Sequence, residues 1–230
     1  MQRDTVLFDI NETVLDLSPL KPKFETALGD RNLVSTWFAM LLHASTVCAL
    51  TGVKTSFAEL AGVVLARLAA LNGRALSQSE RSNVLGTFSS LAPHPDVQPA
   101  LKSLQSHGYR TVAFSNSSRD LLAKQIGNSG LAPYFDFVLS VEDTGSFKPD
   151  IKVYEFAAAQ LDRQISDLRL VAAHDWDTHG AMTAGMQGAF LDRDGAPYNP
   201  LYRRPDLVEM TMGALAASVI AADSSADDAH

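Results

Sequence analysis

The sequence predicts an α/β fold, a doubly wound parallel sheet with an all-helical block inserted after its first strand. Three observations carry this. Thr5-Val6-Leu7-Phe8-Asp9 is an apolar run that ends in an acid and passes at once into a polar turn, and strands buried on both faces of a parallel sheet read as continuous apolar runs. From residue 93 onward, short apolar runs alternate with helical periodicity, as in a parallel sheet with helical crossovers. Between these stretches, residues 17–92 show helical spacing and no strand signal.

In chain order, Ser18-Pro19 and Lys21-Pro22 break the first run, because each proline pushes its predecessor out of the helical region. Residues 32–50 carry Trp37, Phe38, Met40, Leu41, Leu42, Val47 and Leu50, apolar nearly all round, so burial on more than one side is expected. Phe57, Leu60, Ala61, Val64, Leu68 and Leu71 recur at helical spacing, and Asn72-Gly73 stops that helix. Ser77-Gln78-Ser79-Glu80 reads as a capping box that opens another. Pro93-His94-Pro95 is a hinge-like break, after which Asp96 is expected to cap a helix running to Gly108. Strands are expected at residues 110–114, 135–141, 168–173 and 188–191. Helices are expected through Leu121 and Ile126, then at 150–161, 178–186 and 205–221. Each crossover is short enough to be one helix, hence right-handed. Residues 1–16 and 93–221 then form the α/β core and 17–92 the helical block. The small acidic tail, 222–230, is expected to be disordered.

Composition narrows the function classes. A chain of 230 residues suits one α/β domain with an insertion, or two small domains. Apolar residues at 46% and charged residues at 20% are ordinary for a soluble globular protein. The net charge of -7 argues against a nucleic-acid or anionic-membrane binder, so an anionic substrate needs a local cationic pocket. The single cysteine, Cys48, excludes an internal disulfide and any cysteine-cluster metal site, and its apolar surroundings suggest a buried thiol. No signal-peptide pattern opens the chain and no apolar run reaches ~18 residues. A cytoplasmic protein with neither a nucleic-acid nor a membrane partner is expected.

Chemistry concentrates at the strand ends, where open α/β sheets place their ligands. Asp9 there suits a nucleophile, a metal ligand or a general base, or it merely caps the turn. Ser115-Asn116-Ser117-Ser118 ends the second strand. Its Ser115 hydroxyl suits an anionic oxygen beside the next helix's free N–H groups, or else the segment is an N-cap. In Lys148-Pro149-Asp150 the last two residues open a helix whatever Lys148 does. The fourth strand runs into Ala172-Ala173-His174-Asp175-Trp176-Asp177-Thr178-His179-Gly180-Ala181, with two acids and two histidines.

Asp9 with Thr13 four residues on, the Ser115-Asn116 strand end, Lys148-Pro149, and the Trp176-Asp177-x-x-Gly180-Ala181 string resemble the four motifs of the haloacid dehalogenase-like superfamily. The order is right, the insertion falls in the right gap, and nearly the whole chain is covered. The resemblance implies Asp9 as nucleophile, Lys148 keeping it ionised, Thr13 beside it, and residues 17–92 as a cap domain over the site. Phosphatases of the superfamily carry a second Asp two residues after the first; here that place is Asn11, which has no carboxyl proton to give. They also hold Mg²⁺ between an Asp at the end of the fourth strand and another four or five residues on. The later place is Asp177, but the earlier falls on Ala172 or Ala173, and Asp175 is on the wrong spacing.

The string is more similar to the type II (S)-2-haloacid dehalogenases, in which Trp-Asp precedes x-x-Gly-Ala. That branch implies no metal, no cofactor, a small carboxylic-acid substrate and a homodimer, with the apolar helix of the block as a candidate dimer surface. By the same resemblance Ser115 binds the substrate carboxylate and Asn116 the leaving halide. Asn11, Phe38, Tyr154, His174 and Trp176 fall around the substrate, although packing alone would also account for Tyr154. His174 stands where many of these enzymes have Asn, and it either orients Asp177 or caps the helix; His179 reads as solvated or structural. One departure is clear. The dehalogenases have a halide-binding Arg just after a Trp, and here Trp37 is followed by Phe38, with Arg31 or His43 as candidate substitutes. The implied reaction is attack of Asp9 on C2 of a short 2-haloacid, then hydrolysis of the ester by water that Asp177 activates. Ring opening of a strained acid such as azetidine-2-carboxylate by the same nucleophile is the alternative. An Mg²⁺-dependent phosphatase or a non-catalytic binding protein fits the residues less well.

Overall fold

β1 (Thr5–Phe8) lies at the middle of the sheet, paired in parallel with β2 (Arg110–Ser115) on one side and β4 (Leu168–Ala172) on the other. β3 (Phe137–Ser140) continues the sheet beyond β2; β5 (Gln187–Leu191) and β6 (Leu207–Glu209) continue it beyond β4. The order is β3-β2-β1-β4-β5-β6, parallel throughout. The structure, a computed structural model, describes residues 4–227. Both faces of β1 are covered, which is why its residues are apolar without alternation. The chain lays β2 and β3 on one side of β1 and then crosses to build β4, β5 and β6 on the other. Ligands bind outside the carboxyl ends of the strands at such a switch.

After β1 come a 3-10 turn (Ser18–Leu20) and α1 (Lys21–Leu28), α2 (Leu33–Thr51), α3 (Phe57–Leu71) and α4 (Gln78–Phe88), with no strand among them. α5 (Val97–Ser106) then leads back into the sheet. α2 is not buried all round, as its composition suggested. Val34, Trp37, Phe38, Leu41, Ser45 and Cys48 form one covered stripe, while Leu50 is 82% exposed and Val47 is exposed too. α1 and α3 both pack against α2, and Val47 and Leu50 stay outside that packing. By length and mean hydropathy alone the helix could cross a membrane, although Ser35, Thr36, His43, Ser45 and Thr46 interrupt its apolar run. Trp37 is fully buried and its Nε1–H donates to Ala61 O (3.1 Å), locking α2 to α3. The capping box of α4 is present: Ser77 Oγ accepts from the Glu80 N–H, and the Glu80 carboxylate accepts from the Ser77 N–H. Ser77→Ala is expected to cost about 1 kcal/mol, or a fall of about 2–4 °C in a thermal melt.

The two passages between block and sheet run side by side. Asp16 N–H donates to Ala92 O (2.9 Å) and His94 N–H to Val14 O (3.0 Å), so the Pro93-His94-Pro95 segment is braced and not an open break. Asp96 precedes α5 but makes no side-chain cap. Its carboxylate accepts instead from Arg193 (3.1 and 3.2 Å) and from the Met212 N–H (2.8 Å), a charged partner being the stronger claim.

The crossovers are α6 (Arg119–Asn128), α7 (Ile151–Leu161) and α8 (Asp175–Ala184). α8 starts three residues earlier than expected, which puts Asp175, Trp176 and Asp177 in its first turn. The expected helix at 205–221 is also corrected. Residues 207–209 form β6, and the helix is α9 (Met212–Asp227), where the Thr211 hydroxyl accepts from the Ala214 N–H (3.2 Å). Thr211, not Pro205, is the start signal. α9 carries helix into the part of the tail expected to be disordered, and residues 228–230 lie outside the described residues.

Candidate active site

The site is built from the segments that leave the carboxyl ends of four strands. Past β1, the Asp9 N–H donates to Val171 O (2.9 Å), so the ladder runs one residue beyond the strand. The chain then folds back tightly, with both the Val14 and Leu15 N–H groups on Ile10 O. Glu12 adopts a left-handed φ of 66°, rare for a residue with a Cβ and frequent at functional turns. This turn returns Thr13 to Asp9. Thr13 Oγ1 accepts from the Ala173 N–H (2.9 Å), which leaves its proton for Asp9 Oδ2 (2.8 Å). Lys148, ahead of α7, is fully buried. Its Nζ donates to Asp9 Oδ1 (3.3 Å), Asp177 Oδ2 (2.8 Å) and Phe114 O (2.9 Å). All three ammonium protons are thus placed. The Lys148 N–H donates to Asn116 Oδ1 (2.9 Å), tying that loop to the end of β2. Asp177 is buried, and its Oδ1 accepts from the Tyr154 hydroxyl (2.7 Å).

Burial alone would push the Asp9 carboxyl up. The Lys148 charge, the His174 hydrogen bond and charge, and the Thr13 hydroxyl outweigh burial and hold it down to about 2. Burial pushes the Asp177 carboxyl up, and the charge of Asp9 adds to this against the pull of Lys148. The two acids are therefore driven apart, one fixed as the anion and one made more basic, as paired catalytic groups require. Burial opposes the charge on Lys148, but two carboxylates win and raise it. The Tyr154 hydroxyl stays protonated, held far up by burial and by Asp177.

Asp9, Asn11, Phe38, Leu42, Phe57, Asn116, His174 and Trp176 line a cavity of about 10 Å³, room for roughly one water. Of the residues the motifs singled out, Thr13, Lys148, Tyr154 and Asp177 sit beneath its floor, packed on Asp9 and on each other. Asn11 is held at both ends, its amide donating to Ser117 Oγ (3.2 Å) and its Oδ1 accepting from Gln125 (3.0 Å). Ser115 is brought near but not into the cavity. It is fully buried, and its hydroxyl accepts from the Ser117 N–H (3.1 Å). Neither candidate for the missing cation arrives: Arg31 pairs with Glu25 on the surface and His43 is exposed.

The cation in the cavity wall is His174. It does not bond to the Asp177 side chain, nor does its ring cap α8. Nδ1 meets Asp9 Oδ2 (3.2 Å) and Nε2 meets Glu12 Oε2 (2.9 Å). The ring stacks on Trp176 (5.4 Å between centroids) and lies against Phe38 (6.1 Å). Burial would lower its pKa, but the two carboxylates raise it to about 10. Asp175 turns away to accept from the Asn199 N–H (3.2 Å), and His179 stacks on Tyr202 (4.5 Å). Among the described residues no group of three or more His, Cys, Asp or Glu side chains is placed to hold a metal ion. Glu12, Leu42 and Phe57 are additions to the residues singled out from sequence. Glu12 alone had a signal, an acid in the turn directly after the strand-end Asp9.

Gly180 shows why the last motif needs a glycine. A Cβ there would stand 2.6 Å from Pro149 Cβ and 2.7 Å from the Tyr154 hydroxyl. Gly180→Ala is expected to displace the segment that carries Lys148 and Tyr154. A denaturation curve should show a loss of about 1–3 kcal/mol, with activity falling alongside.

A family model described as haloacid dehalogenase-like hydrolase matches residues 3–171. The chain is 28% identical over 213 residues to the (S)-2-haloacid dehalogenase H-109 of Pseudomonas putida, covering 90% of this chain and 95% of that one. It is 25% identical over 203 residues to an (S)-2-haloacid dehalogenase of Pseudomonas sp. strain YL, covering 87% and 88%. Its fold is similar to that of L-2-haloacid dehalogenase from Xanthobacter autotrophicus with chloropropionic acid covalently bound, with a TM-score of 0.88, 23% identity, and 95% and 98% of the two chains covered. A parallel sheet with Asp9, Lys148 and Asp177 gathered at its carboxyl edge, together with a match over most of its length, makes this chain a member of the haloacid dehalogenase-like hydrolase family.

Proposed function

We propose that the chain is a metal-independent 2-haloacid dehalogenase. Asp9 displaces halide from C2 of a short 2-haloalkanoic acid, and water activated by Asp177 hydrolyses the resulting ester to a 2-hydroxyacid. One observation carries the reading: an ionised Asp9, neutralised by Lys148, opens onto a small cavity walled by Phe38, Leu42, Phe57 and Trp176. A carboxylate with little water around it is a strong nucleophile toward carbon. Halide is a weak base and leaves without a proton, so Asn11 in place of an acid costs nothing. Asn116 lines the cavity with its Oδ1 taken by the Lys148 N–H, which leaves its NH₂ for the ligand. The helices of residues 17–92 supply Phe38, Leu42 and Phe57 and act as the cap that excludes bulk water. The names of the relatives, and the covalently bound acid in the Xanthobacter enzyme, support the same chemistry. The exposed apolar side of α2, at Val47 and Leu50, is the surface proposed for a homodimer.

A second reading rests on Phe38 and His174. With no Arg for a free halide and a charged ring in the wall, a strained-ring acid such as azetidine-2-carboxylate could be opened by the same attack. A panel of 2-haloacids, azetidine-2-carboxylate and phosphate monoesters, each with and without chelator, tests both. Halide release from 2-chloropropionate unchanged by chelator is expected. Phosphate release that needs Mg²⁺ would overturn the proposal, and ring opening without halide release would favour the second reading.

A further inference from the structure

One buried amide decides how another faces the cavity. Gln125, on α6, is fully buried, and its Nε2 donates to two acceptors at once, Phe88 O (3.0 Å) and Asn11 Oδ1 (3.0 Å). We infer, on the dehalogenase reading above, that Gln125 is a positioning residue: it fixes the Asn11 amide so that an N–H is left for the carboxylate of the ligand.

The orientation follows from what a carbonyl can do. Phe88 O only accepts, so the Gln125 atom beside it must be the NH₂. The second proton of that NH₂ meets Asn11, which must therefore present its oxygen. Asn11 Nδ2 is left to donate one proton to Ser117 Oγ (3.2 Å). Among the described residues nothing accepts its other proton, and Asn11 lines the cavity. Turned the other way, Asn11 would meet a bound acid with an oxygen and repel it. Holding this arrangement leaves Gln125 Oε1 buried without a partner. An apolar side chain of the same shape would fill the space without that cost. With Asn116, whose oxygen is likewise taken, by the Lys148 N–H, the cavity meets an anion with the donor ends of two amides. Attack by Asp9 drives the halide out on the far side of C2. Asn11 shares the turn that carries Asp9, so its donor serves the near side and the carboxylate. Ser115, expected in that role, does not line the cavity. Phe88 ends α4, so the same Gln125 nitrogen also ties the cap to the core at Asn11.

Halide release from 2-chloropropionate and 2-bromopropionate, with calorimetric binding of propionate, tests this in wild type, Gln125→Met, Asn11→Ala and the double variant. Each single variant should raise KM and weaken propionate by about 10–10²-fold, the range for a hydrogen bond to a charged group. The rise should be the same for both halides and lie in KM more than in kcat, because the carboxylate is as charged before the attack as during it. The double variant should be no worse than Asn11→Ala, since Gln125 acts through Asn11. Should a variant fail to fold, Gln125→Glu decides by the same split, its carboxyl having no NH₂ to serve two acceptors. Additive losses in the double variant would overturn the inference. So would a fall in kcat that differs between the halides, or propionate binding absent from wild type or unmoved in every variant. Wild type that binds propionate, loses it in the variants, yet releases no halide would end the dehalogenase reading and leave the carboxylate donor in place.

Discussion

Asp9→Asn is expected to abolish halide release and adduct formation together, by more than about 10⁴-fold. An amide is not alkylated at a useful rate, and nothing nearby replaces the carboxylate. Asp177, the buried acid beside it, lies beneath the floor with Lys148 Nζ on one oxygen and the Tyr154 hydroxyl on the other. Glu12 is committed to His174. The substitution keeps the shape of Asp9 and removes a buried charge, so the fold should survive. Circular dichroism indistinguishable from wild type, with halide release at background, is the expected pair of results.

Lys148→Met is expected to cost both stability and activity. The ammonium is fully buried between Asp9 and Asp177 and also satisfies Phe114 O. Removing one partner of a buried ion pair leaves an uncompensated charge and costs about 3–5 kcal/mol. Here two carboxylates lose their common cation. Without it, burial and the Asp9 charge act on Asp177 with no opposing cation, and its carboxyl rises further above the ordinary range, while His174 and Thr13 still hold Asp9 down. A carboxyl raised above its unfolded pKa favours the folded state only while protonated. The loss should therefore be full at neutral pH and shrink as pH falls through the carboxylate range. Urea denaturation at two pH values measures this, and halide release should be lost at both.

Much of the site was legible because each chemical group follows an apolar run that could only be a buried strand. Asp9, Ser115 and the His174-to-Asp177 string share that signature, and a parallel sheet brings such ends to one edge. What the runs do not encode is which group takes which partner. The Ser115 hydroxyl is claimed by an amide two residues on, a local contact with no periodicity. His174 binds Asp9 and Glu12 because Glu12 takes a left-handed φ, and a non-glycine residue in that region leaves no mark in the sequence. β6 has three residues, too few to alternate visibly, and sits where Pro205 suggested a helix start. α2 reads as apolar on every side, but periodicity states what a helix offers and not what covers it.

Turnover in heavy-oxygen water is the most direct measurement of the central claim, that Asp9 is alkylated by carbon and released by water attacking its own carbonyl carbon. After repeated turnover of 2-chloropropionate, the peptide containing Asp9 should carry the heavy oxygen, and in a first single turnover the hydroxyl of the product should not. An unlabelled Asp9 peptide, with the heavy oxygen entering the product directly in the first turnover, would contradict it.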